Sequence, residues 1–88
     1  MRDIGGIKRY FLQWQLKKLN QEHYLSGNDD NNKNYNIYKN VFGESDKRFL
    51  LTISTATAMI IQDIYFDKID EIIEVVKGIR FQLEEELL

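Results

Sequence analysis

Cysteine and proline are both absent from this chain of 88 residues, and histidine occurs once. Without cysteine there is no disulfide framework and no thiolate metal site. One histidine cannot supply a zinc site of the usual kind, which needs about four N, S or O ligands. No apolar run approaches the roughly 18 residues of a membrane-spanning helix. The opening Met1-Arg2-Asp3-Ile4-Gly5-Gly6 lacks the apolar stretch of a secretory signal. By elimination the expectation is a soluble, intracellular, cytoplasmic protein with no cofactor and no metal. What is present is 43% hydrophobic and 30% charged residues, an ordinary globular mixture. The length fits a single domain, 1–88, because a second core needs on the order of another hundred residues.

The net charge of −2 conceals a gradient along the chain. Residues 1–50 hold nine Lys/Arg against six Asp/Glu, and residues 51–88 hold three against eight, so the halves stand at +3 and −5. Such asymmetry fits a basic binding surface beside an acidic helix, and equally a neutralisation of one half by the other.

At the C-terminus, Phe66, Ile69, Ile72, Ile73, Val76, Ile79, Leu83 and Leu87 fall at helical spacing, opposite Lys68, Asp70, Glu71, Glu74, Lys77, Gln82 and Glu85. Asp67 is placed as N-cap, with Asp70 and Glu71 in the first turn. The pattern predicts one amphipathic helix over about 67–87. Gly78 interrupts it, either ending the helix or admitting a second backbone, and the phase kept across it favours continuity. Upstream, Phe49, Leu51, Ile53, Met59 and Ile61 occupy odd positions, with Thr52, Ser54 and Gln62 between them. Alternation rich in β-branched residues predicts strands near 47–54 and 58–65, joined around Thr55-Ala56-Thr57. A further strand over 35–42 is followed by Gly43-Glu44-Ser45-Asp46, a hairpin loop into Lys47. Residues 26–34 contain no apolar side chain and are expected to form a mobile loop. In the first segment, Leu12, Trp14 and Leu16 alternate as in a strand, whereas Ile7, Phe11, Trp14 and Lys18 have helical spacing. The strand is favoured here. The fold expected is thus α+β, an antiparallel sheet of about four strands followed by one long C-terminal amphipathic helix, in two layers. Val75 and Phe81 flank the helical stripe, which would allow a symmetric homodimer through that helix.

Catalytic chemistry finds little support. His23 neighbours the polar loop, and no G-x-S-x-G elbow presents a serine to it. Asp30-Asn31-Asn32-Lys33-Asn34 imitates a calcium loop, but Tyr35 stands where glycine is needed. Gly5-Gly6 is the only glycine pair, and no phosphate-binding loop follows. The acids Asp63, Asp67, Asp70, Glu71 and Glu74 lie on a polar helical face rather than in a cleft that would part their pKa values. An enzyme is not expected. Lys8, Arg9, Trp14, Lys17 and Lys18, with Tyr10 and Phe11 among them, form the pattern single-stranded nucleic acid takes: cations for the backbone, rings for the bases. Lys33, Tyr35, Tyr38, Lys39, Lys47 and Arg48 would extend such a surface. The isoelectric point near 5.3 opposes strong binding to phosphates.

The expected order, four strands and then a dimerising helix, resembles the Whirly proteins and the single-stranded-DNA-binding transcriptional coactivators of similar topology. Ile64-Tyr65-Phe66-Asp67-Lys68-Ile69-Asp70-Glu71-Ile72-Ile73 through Lys77-Gly78-Ile79-Arg80 resembles the ending of small phage and mobile-element proteins. The proline-free, Asn/Lys/Ile-rich composition is similar to that of proteins from AT-rich genomes. The second resemblance implies a small accessory protein that inhibits a host or defence protein by binding it, as anti-CRISPR and anti-restriction proteins do. The resulting expectation is a non-catalytic protein-binding inhibitor. Its acidic surface of Asp63, Asp67, Asp70, Glu71 and Glu74 would occupy a basic nucleic-acid site on the partner. The alternative is a homodimeric single-strand nucleic-acid binder using Lys8, Arg9, Trp14, Lys17 and Lys18.

Overall fold

Residues 8–18 contain no β-branched side chain and are mostly Leu, Gln, Lys, Arg and aromatics, a composition that favours helix over strand. In the computed structural model, which describes residues 4–41, 45–57 and 59–85, they belong to helix α1 (Ile4–Lys17). The expected first strand is therefore corrected to a helix. Leu12, Leu16 and Leu19 point into the core together with Gln15, while Trp14 lies on the outer side. The alternation of Leu12, Trp14 and Leu16 was incidental to that helical stripe.

A meander of four strands follows: β1 (His23–Asn28), β2 (Asn34–Lys39), β3 (Phe49–Ser54) and β4 (Ile60–Phe66). A 3-10 turn (Ile69–Glu71) and a single turn of helix, α2 (Ile73–Val76), lead to β5 (Gln82–Glu85). All pairings are antiparallel, and the strand order is β4-β3-β2-β1-β5. The chain is α+β and mostly sheet. β2, β3 and β4 fall close to the spans expected from alternation, with a register shift at Ile53/Ser54.

Residues 26–34, expected as one loop, include the end of β1 and the start of β2. Ser26–Asn28 end β1, and Asp29 organises the turn into β2: its Oδ1 accepts the N–H groups of Asn31 at 2.8 Å and Lys33 at 2.9 Å. Its Oδ2 accepts the Tyr35 hydroxyl at 2.9 Å, and Asn32 takes a left-handed φ of 66°. Short polar side chains that bond their own backbone order a hairpin without apolar content.

The long C-terminal helix is not formed. Ile69, Ile72 and Val76 are buried as the helical stripe requires, but the helix stops after one turn. Val76 and Ile79 are joined by an Ile79 N–H to Val76 C=O bond of 2.9 Å. Lys77 at φ −57°, ψ 126° and Gly78 at φ 83° complete a type II turn, which needs glycine at its third position. Six of the eleven residues from Ile69 to Ile79 are Ile or Val, which are stiff at χ1 and gain little from a helix. The chain leaves the turn extended, buries Phe81 and pairs with β1. The helix through which a dimer was expected is thus replaced by a turn and an edge strand.

Leu83, Leu25, Ile37, Leu51 and Ile64 form a cross-strand row on the sheet face that packs under α1 and the 69–76 segment. Gln15 closes the join by donating its Nε2–H to the Phe81 carbonyl at 3.0 Å. The opposite face carries Tyr24, Tyr38, Leu50 and Tyr65 in one row, all half-buried and outside the core cluster. No helix among the described residues is long and apolar enough to cross a membrane.

Candidate functional site

The five acids expected to act together lie on successive elements from β4 to α2. Asp63 projects from β4 opposite Thr52 on the sheet face away from α1. Asp67 follows β4, Asp70 and Glu71 lie in the 3-10 turn, and Glu74 is on α2. The internal contacts of Asp67 and Glu71 are defined. The Asp67 carboxylate accepts the Arg48 N–H at 2.8 Å and lies 3.7 Å from its Nε. Glu71 accepts Lys47 Nζ at 2.8 Å and the N–H groups of Asp67 and Lys68 at 2.9 and 3.0 Å. These bonds clasp residues 47–48 to the turn after β4.

The Lys47 ammonium, with the Lys68 and Asp67 amides, holds the Glu71 carboxyl down to about 2, from an ordinary 4.5. A carboxyl lowered on folding stabilises the protein above its unfolded pKa, and that stability drains away as pH falls through the folded value. The wild-type midpoint in urea should therefore decline between about pH 4.5 and 2, and Glu71→Gln should flatten that limb. Identical acid limbs in the two proteins would remove Glu71 from the clasp. Both side chains are over a third exposed, 42% for Lys47 and 34% for Glu71, so solvent screens the pair and the effect is modest.

The basic and aromatic residues of the first segment are arranged on a helix, not on a sheet face. Tyr10, Phe11 and Trp14 are exposed by 74%, 50% and 48%. Phe11 stacks on the Trp14 indole with centroids 5.9 Å apart and planes 14° apart. Lys18 Nζ lies 4.7 Å from the indole centroid, a cation–π distance. Lys17 is exposed beside them. Lys8 and Arg9 are in α1, and their side chains lie outside the described residues. The residues that were to extend this surface do not join it. Lys33 sits in the β1–β2 turn, Tyr35 is in the core, Tyr38 is on the far sheet face, and Lys47 is paired with Glu71.

Lys39 and Arg48 instead line a cleft of about 600 Å³ between the end of α1, the β2–β3 end of the sheet and the turn after β4. Sequence spacing could not reveal it, because its walls come from four separated segments. His23 opens β1 with Nδ1 2.6 Å from Asn20 Oδ1. Among the described residues, no group of three His, Cys, Asp or Glu side chains is placed to hold a metal ion.

The chain matches no family model, no curated protein and no solved structure. The surfaces themselves therefore carry the functional reading. Among the described residues the aromatic stripe of α1 lies outside the core cluster, away from the buried Leu12, Leu16 and Leu19. The order of elements behind the similarity to Whirly proteins is also not the observed one, since a helix leads the sheet and no long helix follows it.

Proposed function

We propose that this chain is a non-catalytic protein-binding module whose principal contact surface is the outer face of α1. The observation that carries this reading is the exposed stripe of Tyr10, Phe11 and Trp14, with Lys18 over the indole. Tryptophan and tyrosine are the side chains that most often dominate binding energy at interfaces. Pre-stacking Phe11 on Trp14 lowers the entropy lost when a partner orders them. Such a module fits an inhibitor of a host or defence protein, as in phage-type accessory proteins. The contact residues now favoured are aromatic rather than acidic, because Asp67 and Glu71 are already spent on Arg48 and Lys47.

The exposed indole is also what the nucleic-acid alternative requires. Phe11 and Lys18 already lie on that indole, however, and a base would have to displace them before stacking. An isoelectric point near 5.3 adds a long-range penalty against phosphates.

The test is capture of a partner by the wild-type chain, by Trp14→Ala and by the triple reversal Asp63→Lys, Asp70→Lys, Glu74→Lys, each checked for folding by circular dichroism. Trp14→Ala should weaken capture about 30-fold, the loss of roughly 2 kcal/mol expected for a central aromatic, and the triple reversal should retain it. The opposite pattern would restore the acidic surface. Quenching of Trp14 by a single-stranded oligonucleotide, weakening steeply with salt, would replace protein binding by nucleic-acid binding.

A further inference from the structure

The cleft between α1, the β2–β3 end of the sheet and the turn after β4 has an apolar floor and a cationic rim. Leu16, Leu19 and Ile69 are buried at its base, and Phe49 is half-buried beside them. Lys17, Lys39, Arg48 and Lys68 stand around it against two acids, Asp67 and Asp70. Arg48 is spoken for: it is held by Asp67 and lies over the Phe49 ring, 5.6 Å from its centroid. Lys17, Lys39 and Lys68 make no ion pair among the described residues. Three lysines thus line one cleft in a chain whose net charge is −2. Lys17 also sits in the last turn of α1, where it offsets the negative end of the helix dipole that would otherwise oppose an anion.

We infer that this cleft binds an acidic peptide segment of a partner protein, with one bulky apolar side chain seated on Leu16, Leu19, Phe49 and Ile69 and flanking carboxylates set against Lys17, Lys39 and Lys68. The proposal rests on the reading of the chain as a protein-binding module. The volume lies within the range of well-formed ligand sites, enough for an anchor side chain and its immediate backbone. An apolar centre ringed by charge is the usual anatomy of a contact core and its rim. A nucleic-acid strand fits less well, because Asp67 and Asp70 interrupt the rim where phosphates would run, and the floor holds three aliphatic side chains to one ring.

The probe is a fluorescein-labelled Glu-Glu-Phe-Glu-Glu peptide, titrated with the whole chain and followed by anisotropy at low and moderate salt. Binding should weaken at least tenfold when Phe is replaced by Gly in the peptide, and at least tenfold when the glutamates are replaced by glutamine. The double reversal Lys39→Glu, Lys68→Glu should lose binding by a similar factor, and the neutral pair Lys39→Gln, Lys68→Gln should fall between it and wild type. Lys33→Glu, in the β1–β2 turn, should bind as wild type does. Equal binding by the double reversal, indifference to the phenylalanine, absence of peptide binding, or tighter binding of a thymidine oligonucleotide of equal charge would each overturn the proposal. Trp14-dependent partner capture that survives both lysine reversals, without peptide binding, would overturn the cleft alone and leave the α1 surface standing. Peptide binding that persists in Trp14→Ala supports the cleft independently of that surface.

Discussion

Gly27→Ala should destabilise the fold by about 3 kcal/mol, the upper end of what overpacking a well-filled site costs. Alanine is the better residue in a strand by about 0.5–1 kcal/mol on backbone entropy alone, so the sign is decided by space. A Cβ on Gly27 would stand 2.6 Å from the Ile79 Cγ2 and 2.8 Å from the Arg80 carbonyl oxygen. The methyl could rotate away, but the carbonyl is backbone, fixed between the type II turn at Gly78 and the pairing of β5 with β1. Relief requires that residues 79–80 lift off the sheet, which would carry β5 with them. The urea midpoint by circular dichroism reads the loss, and faster hydrogen exchange at residues 82–85 locates it. A variant as stable as wild type would mean that the C-terminal segment does not cross β1 at Gly27.

Phe66→Ala should cost about 4 kcal/mol, within the range for deleting a buried aromatic side chain. Phe66 is fully buried and stacks on Phe49 with centroids 5.4 Å apart. Its ring also lies at the junction where β4 gives way to the 69–76 segment, among side chains from both layers. A domain of this size has a total stability of about 5–10 kcal/mol, so the variant should keep only about 1–6 kcal/mol and melt well below wild type. Phe66→Leu, which keeps most of the volume, should cost much less. Thermal unfolding of the three proteins separates these outcomes, and an alanine variant that melts within a few degrees of wild type would contradict the packing around Phe66.

The middle of the molecule was legible in the sequence because period-two alternation has one meaning when β-branched residues carry it. Phe49, Leu51 and Ile53 announced β3, and the β4 span was close to correct. The ends were not legible, for two different physical reasons. Leu12, Leu16 and Leu19 share a helical face, yet Leu12, Trp14 and Leu16 also satisfy an alternating template, and only the lack of β-branched residues separates the two. At the C-terminus the stripe of Ile69, Ile72 and Val76 was read correctly as buried, but burial at helical spacing does not fix how long the helix runs. One residue decided that: Gly78 takes a φ of 83°, which makes a turn inexpensive and releases residues 82–85 for the sheet. β1 was missed because its ordering comes from Asp29 and from partners distant in sequence, neither of which leaves an apolar signature. The cleft is illegible for the same reason, whereas the aromatic-basic segment stands out in the sequence but lies on a helix rather than a strand.

The placement of β5 also sets an order of assembly. Three hairpins in the β1–β4 meander close short loops, but β5 must return across the whole meander to reach β1. The same reach is needed by the Gln15–Phe81 bond, which spans 66 residues. Loop-closure entropy makes such contacts the late ones in folding. Among the described residues β5 has four residues and a single neighbouring strand, features of a segment that opens at low cost. Loop closure thus predicts that the meander matures first and that the C-terminal segment docks on α1 and β1 afterwards.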